Sequence, residues 1–175
     1  MFRATKAAPA ASRIFAGRSY LCVMRKFEFL PCIPTRGTNV PAGPDWLHEI
    51  KQDGYRLIVQ RDGKRVRMFI RNGHDWSGRF PRIAEAALRH RSTSFVLDGE
   101  AVLLGVDGIS DFNGLHSRKH DEEVELYAFA ILVGDGEDMR ALPLHLRKNN
   151  LARLLRRRVD GIQVATSDKQ RTSRL

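Results

Sequence analysis

In the stretch WLHEIKQDGYR, residues 46–56, a lysine stands two residues after a glutamate and just ahead of an Asp-Gly pair. Alternate side chains of an extended strand share a face, so Glu49 and Lys51 are expected to point the same way, with Asp53-Gly54 turning the chain straight afterwards. Such a lysine has two readings. Paired with an acid at the surface it contributes under about 1 kcal/mol and carries no chemistry. As a nucleophile its amine must shed a proton, which calls for neighbouring cations or partial desolvation. The hexapeptide Lys51–Arg56 leaves both open.

The elements that must hold this lysine are legible from punctuation and periodicity. Short β-type runs fall at Trp46–Lys51, Tyr55–Arg61, Arg65–Ile70, Phe95–Ala101 and Glu125–Val133, several separated by Asp-Gly or Asn-Gly turns. The run RVRMFI alternates, with Val66, Met68 and Ile70 on one face and Arg67 and Phe69 on the other, which predicts a half-buried strand. On the last run, Tyr127, Phe129 and Ile131 alternate on one predicted face. Helical spacing covers Pro81–Arg89, with proline in the first turn and Ile83, Ala86 and Ala87 along one side. A second helix is predicted over 146–158, setting Leu151, Leu154 and Leu155 against an arginine-rich face, and a shorter one over Phe112–Arg118. The fold class is α+β, with largely antiparallel sheets and flanking helices. The Pro/Gly-rich stretch FLPCIPTRGTNVPAGPDW reads as an extended entry rather than core.

Composition bounds the rest. The 175 residues, 42% hydrophobic, suffice for one core. Charged residues interrupt every apolar run long before it could span a bilayer, so a soluble chain with no membrane partner is expected. The two cysteines, Cys22 and Cys32, make no disulfide framework and share no metal-site spacing with the histidines, which fits the reducing cytoplasm. No role is assigned to His48, His74 or His116, which lack paired ligand spacing. The net charge of +10 is concentrated at the two ends. Residues 1–26 hold six Lys/Arg and no acid, residues 147–175 hold nine against Asp160 and Asp168, and the middle is net acidic. Such ends are either solvated tails or phosphate contacts, which need only positive charge. There is no Gly-x-x-x-x-Gly-Lys loop, so a nucleotide would not bind here in the P-loop manner.

The motif KQDGYR matches the Lys-x-Asp-Gly-x-Arg signature of covalent nucleotidyltransferases, and three further motifs follow in order: RNGHDW from Arg71, FVLDGEAV around Glu100, and LYAFAILVGDGEDMR around Phe129. With FLPCIPT and DWSGRFPRI, this set resembles the adenylation domain of ATP-dependent DNA ligases of the bacterial end-joining type, over about residues 27–161. The resemblance implies a nucleotidyltransferase domain of ATP-grasp-like class that uses ATP and magnesium to form a lysine-AMP intermediate and seal breaks in double-stranded DNA during repair and recombination. It implies that Lys51 is the nucleophile and that Glu49 accepts a hydrogen bond from the adenine amino group, where guanine offers a carbonyl instead. By the same resemblance Arg56 and Arg71 contact ribose and phosphates, Glu100 lies near the ribose and the metal, and Phe129 stacks on adenine. Magnesium is implied by the reaction class, not by a visible ligand cluster.

Departures from the family qualify this. Relatives carry aspartate after the stacking aromatic, whereas Ala130 stands here. The later Glu-Gly-x-x-x-Lys and Trp-x-Lys-x-Lys segments and the OB-fold domain do not follow, and 162–175 is expected to be a polar tail without periodicity. Residues 1–26 are expected to be a disordered basic extension, with organellar targeting a minor option. A C-terminally truncated, incomplete domain with an open sheet edge and impaired activity is the expectation, with a companion chain as one source of the missing motifs. Two other functions stand beside it: an inactive remnant binding nucleotide or DNA through its basic ends, and an RNA-capping type guanylyltransferase, against which Glu49 and the Arg71–Gly73 context argue.

Overall fold

The computed structural model describes residues 2–6, 29, 46–157 and 159–168. Nine strands and three helices follow in the order β1 (Phe2–Lys6), β2 (Trp46–Ile50), β3 (Tyr55–Asp62), β4 (Arg65–Ile70), α1 (Pro81–Arg89), β5 (Ser94–Val102), α2 (Phe112–Ser117), β6 (Glu125–Gly134), β7 (Glu137–Asp138), α3 (Leu144–Leu154), β8 (Ile162–Val164) and β9 (Ser167–Asp168). They build two sheets. The larger runs β4-β3-β5-β6-β7 with β8 also on β6, and the smaller runs β1-β2-β9. Every pairing is antiparallel except that of β8 with β6. Among the described residues no helix is long and apolar enough to cross a membrane.

One face of the large sheet carries the main core. Leu57, Val59, Met68, Leu97, Leu126 and Ile131 from the strands meet Ile83, Ala86 and Ala87 of α1 and Leu151 and Leu155 near the end of α3. The other face is covered too: Ile58, Phe69, Val96, Leu132 and Val133 cluster with Phe29 of the Pro/Gly-rich entry. Phe69 is therefore buried, and β4 is not the half-solvated strand its alternation predicts. Phe29 supplies the missing cover.

Two further expectations change. Phe2–Lys6 of the N-terminal extension pair with β2 along five residues, so this stretch belongs to a sheet; the rest of 1–26 lies outside the described residues. At the other end, Ile162–Val164 pair in parallel with Leu126–Ala128, and Ile162 and Ala165 are buried. Two apolar residues in a polar segment are enough when a strand edge stands open beside them, which is why periodicity gave no warning. Residues 169–175 lie outside the described residues. Helix α3 starts at Leu144 directly after Pro143, and ends at Leu154, earlier than the leucine spacing suggests.

The C-terminus of α1 is closed by a side chain from the sheet. Arg61 on β3, buried, donates from one terminal guanidinium nitrogen to the carbonyls of Ala87 at 2.6 Å, His90 at 2.6 Å and Ser92 at 2.9 Å. Helix ends leave carbonyls without partners, and a buried unsatisfied carbonyl is costly. Replacing Arg61 with methionine keeps the apolar stem and removes every one of these donors. The variant is expected to lose about 3 kcal/mol in urea unfolding, the sum of a lost charged hydrogen bond and newly orphaned carbonyls. A loss below about 1 kcal/mol would show that water takes over the capping.

Candidate functional site

Strand β2 stops at Ile50, and the alternation that should have placed Lys51 beside Glu49 stops with it. Glu49 is buried at 3% exposure. Lys51 lies beyond the strand with its side chain 48% exposed and its amine 3.7 Å from an Asp53 carboxylate oxygen. The shared face predicted for the two does not form. Glu49 instead forms a buried ion pair with Lys148 of α3, whose ammonium also donates to the Phe129 carbonyl at 3.0 Å.

The Phe129 carbonyl is available for a geometric reason. Pairing of β5 with β6 jumps from Gly99–Ala128 to Asp98–Ala130, so Phe129 is an extra residue in a β-bulge. A bulge re-aims its side chain and interrupts the ladder. It also shifts the alternation, so that Leu126, Ala128 and Ile131 share the main core while Tyr127 does not join them. The single face predicted for Tyr127, Phe129 and Ile131 is thereby broken. Burial, and after it the charge of Glu125, raises the Tyr127 pKa and favours its neutral phenol. Phe129 itself is 8% exposed and carries the Arg56 guanidinium 4.5 Å from its ring centre.

Arg56 is held from below as well. It makes a bidentate pair with buried Asp98, both contacts at 2.5 Å. Asp98-Gly99 is not a turn but the middle of β5, with Arg56 directly opposite Glu100 in the ladder. The glycines of KQDGYR and FVLDGEAV are required by close approach. A Cβ on Gly54 would stand 2.2 Å from the Ala101 carbonyl oxygen and 3.0 Å from the Glu100 Cγ, and one on Gly99 would stand 2.7 Å from the Tyr127 carbonyl oxygen. The turn after Lys51 thus rests directly on the strand that carries Glu100.

These contacts frame a cleft of about 630 Å³ whose walls include Gly54, Arg56, Arg71, Trp76, Arg79 and Glu100. Three of the six predicted site residues, Arg56, Arg71 and Glu100, are brought together on it; Lys51 sits at the turn leading to it, and Glu49 and Phe129 lie behind Arg56 and Lys148. Arg79 packs over the Trp76, Phe80 and Tyr55 rings at 4.2, 4.9 and 5.1 Å, and the Tyr55 hydroxyl meets His116 Nδ1 at 2.7 Å. Glu100 is the single carboxylate among the described residues lining the cleft. No group of three or more His, Cys, Asp or Glu side chains among the described residues could cage a metal. One carboxylate is nonetheless a fitting donor set for magnesium, which keeps several waters and takes its other oxygens from substrate phosphates.

Lys148 and Asp98 escaped the sequence reading. Asp98 lies inside a quoted motif, on a run predicted as a strand, but only Glu100 of that motif was given a role. Lys148 carries no signal: it is one cation on the basic face of a helix, singled out only by what α3 packs against.

Comparison with known proteins points the same way as the cleft. Residues 33–174 match the family described as ATP dependent DNA ligase domain. The multifunctional end-joining protein LigD of Mycobacterium tuberculosis is 38% identical over 114 residues, covering 63% of this chain and 15% of that protein. LigD of Pseudomonas aeruginosa is 35% identical over 118 residues, covering 66% of this chain and 14% of its own length. The chain therefore spans about a seventh of these curated relatives. Among solved structures, the ligase domain of M. tuberculosis LigD superposes with a TM-score of 0.60 at 31% identity, covering 70% of this chain and 40% of that one. A mycobacterial DNA ligase D complexed with ATP and MES gives 0.59 at 31% identity, covering 69% and 39%. A match across most of the chain, joined to a shared fold and four ordered motifs, places this protein in the ATP-dependent DNA ligase domain family.

Proposed function

We propose that the chain works as the adenylation unit of an ATP-dependent DNA ligase, with Lys51 as the residue that carries AMP. The observation that carries this reading is the convergence of Gly54, Arg56, Arg71 and Glu100, from three separate motifs, on one cleft reached through the turn after Lys51. In the first step the Lys51 amine attacks the α-phosphorus of ATP, a P–N bond forms, the bond to the β-phosphate oxygen breaks, and pyrophosphate leaves. A DNA 5′-phosphate then takes the adenylate from the lysine, and the adjoining 3′-hydroxyl displaces AMP to close the strand.

The chain's own groups divide the work by charge. Arg56 and Arg71 offer guanidinium donors to ribose and phosphate oxygens, Arg56 held in place by Asp98. Glu100 would bind the ribose and hold magnesium, which neutralises charge on the departing pyrophosphate. Glu49 reads the adenine amino group with an oxygen not taken by Lys148, and Phe129 offers its ring to the base once the Arg56 guanidinium yields that face. Substrate DNA with strand breaks, the cytoplasm as the compartment, and lysines from another segment or a companion chain to meet the pyrophosphate complete the reading. The 31%-identical mycobacterial ligase complexed with ATP supports the choice of nucleotide.

A second reading, a unit that binds nucleotide or DNA without transferring it, draws on one observation: Lys51 is half exposed and ion-paired to Asp53. Incubation with α-labelled ATP and magnesium separates the two. An acid-labile adduct is expected that disappears in Lys51→Ala and does not form with labelled GTP. An adduct undiminished in Lys51→Ala, or none with the unaltered chain, would overturn the ligase reading.

Lys148 gives a further expected outcome. Lys148→Met strands the buried Glu49 carboxylate, which should cost about 3–5 kcal/mol in equilibrium unfolding. The double variant Glu49→Gln/Lys148→Met removes both charges and should lose much less than the two single losses added together. Additive losses would mean that the pair contributes no coupling.

A further inference from the structure

A second cavity, of about 380 Å³, opens where the C-terminal ends of α1 and α3 meet, and Arg89, Arg91, Arg153, Arg156 and Arg157 line it. No carboxylate lines it among the described residues. Arginines gathered at helix C-termini have an ordinary explanation, since they cap terminal carbonyls and complement the helix dipole. Here other groups already serve that purpose. Arg61 meets the Ala87 carbonyl of α1 and those of His90 and Ser92 just past it, His90 Nε2 lies 2.8 Å from the Leu154 carbonyl, and the Leu155 N–H reaches the Leu151 and Arg153 carbonyls. The nearby acid is taken as well, since Asp160 pairs with Arg82 at 2.7 Å.

Among the described residues, the side chains of Arg91, Arg153, Arg156 and Arg157 make no hydrogen bond or ion pair; Arg89 reaches only the Asp160 carbonyl, at 3.2 Å. Four such cations around one cavity repel one another, and no described residue compensates them. A ligand of opposite charge would supply that complement. Guanidinium groups match phosphate oxygens through paired N–H donors, and a row of them drawn from two elements fits a ligand whose charges repeat along a line.

We propose that this cavity is a phosphodiester-binding site for double-stranded DNA, separate from the nucleotide cleft. The choice of DNA among polyanions rests on the ligase reading; the anion site itself does not. Arg79 lies just before the N-terminus of α1 on the nucleotide cleft, and Arg89 closes its C-terminus on this cavity. The helix of nine residues separates the two by about 13 Å at 1.5 Å per residue, so a duplex touching both is held across a span of several base pairs.

The test uses the full chain and its variant Arg153→Gln/Arg156→Gln/Arg157→Gln, measuring binding to a labelled nicked duplex across a salt series, with adduct formation from labelled ATP followed in parallel. If each arginine neutralises one phosphate, the slope of log affinity against log salt should fall by about 2.7 in magnitude, and adduct formation should be unchanged. The charge-preserving variant Arg153→Lys/Arg156→Lys/Arg157→Lys folds with the same charge and should restore most of the slope. An unchanged slope and affinity in the glutamine variant would overturn the site. So would unchanged DNA affinity together with lost binding to poly-glutamate, which would assign the arginines to an acidic protein. Failure of the unaltered chain to form an adduct, with DNA binding still sensitive to the arginines, would remove the ligase reading and leave the phosphate site standing.

Discussion

A single part-buried ammonium ties the candidate site together. Lys148 reaches from α3 to the Glu49 carboxylate on β2 and to the Phe129 carbonyl in the β6 bulge, so three elements distant in sequence meet at one charge. Removing an ammonium and a carboxylate from water costs several kcal/mol apiece, and only close geometry with further hydrogen bonds offsets it. The bulge supplies that further acceptor. The pair thus holds β2 of the small sheet one residue before the strand ends at Ile50, ahead of Lys51.

A second constraint lies under the cleft floor. Asp98 is buried and spans to Arg56 from the neighbouring strand, while Ala130 stands directly opposite it across the β5–β6 ladder. Like charges facing each other across a ladder are destabilising. The alanine leaves Asp98 with one dominant partner, Arg56, whose guanidinium is thereby pinned between a carboxylate and the Phe129 ring. The two cation-carboxylate pairs divide the labour: one ties β2 and α3 to the β6 bulge, the other ties β3 to β5 beneath the cleft.

The sequence carried the elements further than the site. Strand β4 and helix α1 lie at their predicted bounds because their apolar spacing is regular and their flanks are punctuated by Gly and Pro. Which faces are buried was less legible. Phe69 is covered by Phe29, a partner from the proline-rich entry, and the β6 alternation is broken by a bulge that no local residue type announces. Of the residues that the ordered motifs single out, Arg56, Arg71 and Glu100 line one cleft, since their spacing survives in the sequence as a pattern. Lys148 did not show, because its role depends on how α3 docks and not on its neighbours. The glycine of FVLDGEAV lies in the strand predicted for Phe95–Ala101, and what the sequence did not show is that it lacks a Cβ so that β6 can approach.

The distribution of arginines follows from the same logic of what is already satisfied. Arg61 and Arg56 are committed, one to helix carbonyls and the other to Asp98, and Arg82 is committed to Glu125 and Asp160, its pKa raised chiefly by the Asp160 hydrogen bond. Committed arginines lie under the sheet or along helix sides and hold the fold. Those lining the cavity sit at the ends of α1 and α3, where Arg61 meets the Ala87 carbonyl and His90 the Leu154 carbonyl. A net charge of +10 is therefore a poor guide to partners until the internally matched cations are set aside. Among the described residues, four arginines without a side-chain partner line this one cavity, and a polyanion meeting them would gain the attraction without breaking any contact the fold needs.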